Sequence, residues 1–263
     1  MTIAVILAAL AIGLSAAMAG AWLLVDRSGR SGWADTVWSF AVGAAGVVAA
    51  LAPFPSGPTA RQILVATLIA VWSLRLGGHI AARTRAGGED PRYQALKEEW
   101  GDARRPRLFW FLQVQAAAAF LLVVTILVAA HNPAPWPQPG DFIGLAIALA
   151  AILGEAAADR QLGRFRADPA NRGKVCDVGL WGWSRHPNYF FEWLGWVAYA
   201  VIAIDLGGGY PWGWLGLVGP VFMYWLLVHV SGIPPLEAHM LRSRGDAFRA
   251  YQARVGAFWP RPR

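Results

Sequence analysis

Charge is scarce in this chain. Only 15% of its 263 residues are Asp, Glu, Lys or Arg, while 56% are hydrophobic. A soluble domain carries roughly 25% charged residues, so an ordinary water-soluble globule is excluded. Lysine is almost missing: Lys97 and Lys174 leave 21 arginines among the 23 basic residues. Cysteine is reduced to Cys176, which excludes an intrachain disulfide and a Cys-only metal site. The five histidines, at 79, 131, 186, 229 and 239, show no tight ligand spacing, so no metal is expected. Internal repeats and low-complexity segments are also lacking. The net charge of +7 lies between apolar stretches, which suits membrane topology and gives no reason to expect a nucleic-acid partner.

What is present is long apolar sequence. A bilayer core takes about 20 apolar residues per helix. Seven stretches meet or approach that length, at roughly 3–25, 34–53, 62–82, 108–130, 141–158, 189–205 and 213–232. The first is too long, and lacks the basic flank, for a cleavable signal peptide. Placing the N-terminus outside makes 26–33, 83–107, 159–188 and the tail from 233 cytosolic. These segments hold 2, 7, 6 and 6 Lys/Arg, and the outside loops hold only Arg61. That is the positive-inside bias. Many of the fifteen Trp residues fall near the ends of these stretches, where an indole suits the interface. Backbone groups in lipid must bond internally, which makes the expected fold all-α. The expectation is one membrane domain, 1–263, of about seven transmembrane helices with a cytosolic C-terminus. Residues 1–130 would form a substrate-cavity half and 131–263 a cofactor-binding half with a helical tail at 235–254.

Residues 180–196 read LWGWSRHPNYFFEWLGW. Apolar spans seldom open on Arg-His-Pro-Asn, and ionisable groups at membrane depth tend to mark a ligand site. Just upstream lie Asp159, Arg160, Arg164 and Arg166, followed by Arg172 and Lys174. A guanidinium fork suits phosphate. Asp159 and Glu192 are acceptors suited to ribose hydroxyls or a carboxamide, and Asn188 both donates and accepts. The bland alternative is that these arginines are only topological charge.

Segment 159–196 resembles the membrane sterol reductase and steroid 5α-reductase superfamily, closest to its short bacterial, DUF1295-like members. The matching parts are Phe165-Arg166, Gly179 to Gly182, Arg185 to Tyr189, and Glu192. In the tail they are Glu237, His239, Gly245, Tyr251 and Trp259-Pro260. The resemblance covers about the last 105 residues well and the first half loosely. It implies NADPH-dependent reduction of a carbon–carbon double bond in a lipophilic small molecule, in the bacterial inner membrane among its lipids. By position, Asp159, Arg164, Arg166, Arg185, His186, Asn188, Tyr189 and Glu192 would hold NADPH, with Glu237 and His239 closing the pocket. Isoprenylcysteine and phospholipid methyltransferases also carry Arg-His-Pro-x-Tyr before an apolar span, so an S-adenosylmethionine-dependent methyltransferase is the alternative.

The steroid reductases carry Gln-Glu ahead of a Ser-Phe that Ser39-Phe40 matches. This chain has Asp35-Thr36 there, a departure from the 3-oxo-steroid pattern. Asp35 is read as catalytic, with a helix N-cap as its alternative. The family's His-Tyr…Arg-Thr element corresponds to His79, Ile80, Arg83 and Thr84. Ile80 has no proton to give, which leaves His79 as the second catalytic candidate. Arg75, one turn before His79, suits either this site or a structural ion pair with Asp35. Gly88 to Tyr93 reads as a polar turn.

Overall fold

A computed structural model describes residues 3–52, 59–87 and 91–262. All regular structure among them is helical, with no strand. The α-helices are α1 (Ile3–Ser28), α2 (Gly32–Ala50), α3 (Ala60–Arg85), α4 (Pro91–Trp100), α5 (Arg104–Ala130), α6 (Pro139–Ala167), α7 (Pro187–Ala203), α8 (Val218–Trp225) and α9 (Ile233–Arg254). Six stretches are long and apolar enough to cross a membrane: Ile3–Ser28, Gly32–Ala50, Ala60–Arg85, Gly101–Ala130, Pro139–Ala167 and Pro211–Arg254. By length and composition this is a multi-pass membrane protein. Apolar side chains such as Ile12, Leu74, Val114, Leu153 and Val221 stay exposed, as lipid contact requires.

Two expected spans take different forms. The sixth is α7, whose 17 residues rise roughly 25 Å at 1.5 Å each, short of a bilayer core of about 30 Å. The seventh is a 3-10 stretch at Pro211–Leu217, then α8, then a π-helical turn at Leu226–Val230. Segment 88–90 of the expected polar turn lies outside the described residues, and the chain from Pro91 is helical. Proline suits a first helical position, because its missing N–H has no partner there anyway.

The chain forms two compact units, one of residues 1–141 and 199–219, the other of 142–198 and 220–263. In the first unit, α2 and α3 pack through small residues. A Cβ on Gly43 would collide with Ser73, and one on Gly46 would come within 2.9 Å of Ile69. Close backbone approach through glycine is how helices associate where lipid offers no hydrophobic drive. A Thr59–Gln62 capping box starts α3. Beside it, Arg61 forks onto Asp141, with both oxygens at 2.8 Å, and donates to the carbonyls of Asn132, Ala134 and Pro135. At 3% and 1% side-chain exposure, this dry pair depends on those extra bonds to offset desolvation. Asn132 bonds the carbonyls of Ile202 and Ala203 at 2.9 and 3.2 Å, fixing the end of α7 within this unit.

In the second unit, α6 and α7 approach through Gly154, which faces the Phe191 ring, and Gly195, which faces Ala151. α9 bends at Gly245, whose φ of 52° is cheap only for glycine. Beyond the bend, Phe248, Tyr251 and Val255 form a small core with Val175, Met240 and Leu241.

Candidate functional site

The site in the second unit is assembled around the Ser184-Arg185-His186-Pro187 corner. Ahead of it a 3-10 turn, Gly179–Gly182, is tied to α6 twice. The Leu180 N–H donates to Gln161 Oε1 at 2.9 Å, and the Trp181 indole donates to the Ala158 carbonyl at 3.0 Å. Pro187 opens α7. Ser184, fully buried, donates to the carbonyls of Ala257 and Phe258 and accepts from the His186 N–H at 3.1 Å. One hydroxyl thus joins the mouth of α7 to the C-terminal peptide. The Arg185 N–H on Gly256 O and the Arg261 N–H on Trp183 O extend that seam.

Glu237 is the hub. Its carboxylate accepts from Arg185 Nε (2.7 Å) and Nη2 (3.1 Å), from His186 Nε2 (3.0 Å) and from Gln252 Nε2 (2.7 Å). Arg185 Nη1 goes to the carbonyls of Gln252 and Val255. Burial alone would raise the Glu237 pKa; the bonds from His186, Arg185 and Gln252 outweigh it and bring it down to about 2. His186 is also lowered, by its own burial, below the usual imidazole value and against the pull of Glu237. Both directions fit one state: a neutral imidazole donating Nε2–H to an ionised carboxylate. The imidazole also stacks on Tyr189, centroids 5.4 Å apart and planes 9° apart.

Around this hub the sequence-identified residues divide by exposure. Arg160, Arg164, Arg166, Arg172 and Lys174 are exposed along the end of α6 and the following turn. Asp159, Asn188, Tyr189 and His239 are half-buried. Glu192 is buried one turn into α7 and accepts from the Trp196 indole at 3.0 Å. Arg185, His186 and Glu237 form one network, with the guanidinium of Arg185 spent on protein groups. Two members of the unit escaped the sequence reading. Glu155, buried in α6 four residues before Asp159, was visible as a carboxylate inside an apolar stretch. Gln252 gave no local signal. A ring cluster of Phe190, Trp193, Tyr224, Phe258 and Trp259 adjoins the corner, with Trp193 and Trp259 centroids 5.2 Å apart.

The first unit holds the other two candidates. Asp35 is not the N-cap of α2. Ser31 holds that position, and Asp35 lies a turn inside, where its Oδ1 accepts from the Tyr93 hydroxyl at 2.8 Å. His79 is exposed on α3, and Arg75, a turn earlier, is half-buried. Tyr93 itself, buried on α4, was hidden in a segment read as a turn. Among the described residues, no three His, Cys, Asp or Glu side chains gather as a metal site.

A stretch of 103 residues, 37% of this chain, is 35% identical to the uncharacterized protein C594.04c of the fission yeast Schizosaccharomyces pombe. The match spans 27% of that relative's length. The relative is eukaryotic and lends nothing to a bacterial assignment. No solved structure matches. A family model described as "Protein of unknown function (DUF1295)" matches residues 21–255, and the chain belongs to that family.

Proposed function

We propose that this protein is an NADPH-dependent membrane reductase that saturates a carbon–carbon double bond in a lipophilic substrate. The observation that carries the reading is the row of exposed cations, Arg160, Arg164, Arg166, Arg172 and Lys174, in the same unit as a polar corner that opens a helix. A helix N-terminus and guanidinium forks together favour phosphate groups. Arg164 and Arg166 would hold the phosphates of the cofactor. Asp159, Asn188, Tyr189 and Glu192 would hold its sugars and carboxamide. Arg185, His186 and Glu237 act as positioning residues in this reading, because their polar atoms are committed to one another and to the tail. His239, half-buried two residues after Glu237 on α9, would border the same corner. Bound NADPH supplies hydride from its nicotinamide ring; the protein supplies orientation and a surrounding field. Asp35 and His79 are proposed to serve the substrate side, and the arginine-rich segments are proposed to face the cytosol of a plasma membrane.

One observation favours a second reading. The buried carboxylates Glu155 and Glu192 suit a sulfonium better than they suit phosphates, which would make the chain an S-adenosylmethionine-dependent methyltransferase. Thermal unfolding of the detergent-purified protein with NADPH, NADH and S-adenosylmethionine in parallel separates the two. Ligand at 100 times Kd stabilises a fold by about 2.7 kcal/mol, a rise of several degrees. NADPH is expected to give that rise, and Arg166→Ala and Asn188→Ala are each expected to weaken NADPH affinity about tenfold, which about halves the rise. A rise with S-adenosylmethionine alone transfers the site to the methyl donor.

A further inference from the structure

In the first unit, the outer face of α5 carries one straight exposed stripe. Arg107, Trp110, Val114, Ala117 and Leu121 are all exposed, and their alternating spacing of three and four residues keeps them on one side of the helix. Arg104, also exposed, lies one turn before Arg107. The helix belongs to a stretch, Gly101–Ala130, that is long and apolar enough to cross a membrane. Below the two arginines the stripe is apolar. From Trp110 to Leu121 it rises roughly 16 Å, close to one leaflet of a hydrocarbon core about 30 Å thick. Trp110 and Val114 each leave 68% of their surface open, so this face meets lipid along its length.

The arginine between these two is used differently. Arg105 lies over the Trp22 ring at 5.1 Å and reaches Asp26 at 3.3 Å, while its carbonyl accepts from the Trp22 indole at 3.0 Å. These contacts pin α1 against the start of α5. Arg30, four residues past Asp26, donates to the carbonyls of Thr84 and Arg85, which brings the basic end of α3 to the same side. Among the described residues no acidic side chain pairs with Arg104 or Arg107. The helix gains nothing from them. Like charges three residues apart cost a few tenths of a kcal/mol, and cations in a first turn oppose the helix dipole. Membrane topology asks for basic residues somewhere in a flanking loop. It does not ask for two of them in line with a lipid-facing stripe that has a tryptophan at its interfacial end.

We propose that this face of α5 binds an anionic phospholipid of the surrounding bilayer, with its phosphate against Arg104 and Arg107 and an acyl chain along Trp110, Val114 and Leu121. Guanidinium forks suit phosphate, and their charge makes the surface selective. A zwitterionic headgroup brings a cation that the two arginines repel, whereas a headgroup with net negative charge brings none. The apolar stripe commits the surface to a lipid, because a free phosphate would leave it unused. The surface is independent of the reductase reading and of which side of the membrane the arginines face.

Native mass spectrometry of the full chain released from detergent micelles tests this, with dioleoyl phosphatidylglycerol and dioleoyl phosphatidylcholine as probes matched in their acyl chains. Phosphatidylglycerol is expected to bind about tenfold more tightly. Arg104→Gln combined with Arg107→Gln is expected to abolish that preference by lowering phosphatidylglycerol affinity, and Trp110→Ala to weaken both lipids. Arg242→Gln combined with Arg244→Gln removes the same charge from exposed positions on α9 and is expected to keep the preference. Should the α5 double variant not fold, Arg107→Gln alone is read by the same criteria. Equal binding of the two lipids, a preference that survives the α5 substitutions, or one lost equally in the α9 pair overturns the proposal. So does a phosphatidylglycerol affinity untouched by Trp110→Ala. Displacement of the lipid by millimolar inorganic phosphate overturns it as well, by assigning the arginines to a free anion.

Discussion

At the scale of single residues, Glu237 holds the candidate site together. Four donors from three side chains converge on one carboxylate, and one of them is a guanidinium used as a fork. Glu237→Gln keeps the shape but leaves Arg185 without its counter-charge. Breaking a buried pair from one side costs about 3 kcal/mol, which calorimetry will show as a drop of several degrees in Tm. Acid acts on the same atoms. With its folded pKa near 2, Glu237 contributes stability that is complete above the ordinary value of 4.5 and lost as pH falls from there toward 2. His186, held neutral with a folded pKa below 6.5, costs stability once the unfolded imidazole begins to take up protons. Both push the same way. Tm is expected to hold above pH 7, to decline below 6.5 and to steepen below 4.5. Glu237→Gln should flatten the second decline, and a profile unchanged by that substitution removes the hub from the account.

At the scale of elements, helices were legible where periodicity or length announces them. The tail helix and its buried Phe248 and Tyr251 follow from apolar spacing. Partners far apart in sequence were not legible. Nothing near Asp35 points to Tyr93, 58 residues on, and nothing near Arg185 points to Glu237, 52 residues on. The aspartate fits both a cap and a catalytic group by local chemistry, and its tertiary partner decides against the cap. The α2–α3 contact is similarly silent in a hydropathy profile, yet it sets how closely two spans lie. Gly43→Val would drive a branched side chain into Ser73. Overpacking of this kind costs about 1–3 kcal/mol. Thermal unfolding in detergent should register it, whereas Gly13→Val, where an added Cβ meets nothing within 4 Å, should be neutral.

At the scale of the whole molecule, composition alone defined a multi-pass helical membrane protein, because a hydrocarbon solvent admits few backbone solutions. It could not show that the last part of α7 belongs with the first unit, where Asn132 bonds two of its carbonyls and Gly213 and Gly216 pack closely on Ala200 and Ala203. The arginine distribution predicts sidedness. Single-cysteine probes in a Cys176→Ala background should label from the cytosolic side at Arg172 and from the opposite side at Gly208. Labelling of both from one side would break the proposed topology, and labelling with the two sides exchanged would reverse it.

The seam between the α7 mouth and the C-terminal peptide bears on how the protein can be manipulated. Residues 255–261 belong to no helix, yet Ser184, Arg185 and Trp183 all bond to them. The rim of the site is therefore laced to plain chain that lies outside every spanning helix. A cleavage sequence placed after Arg254 would make the corner detachable on demand, and an affinity handle is better carried at the other end of the chain.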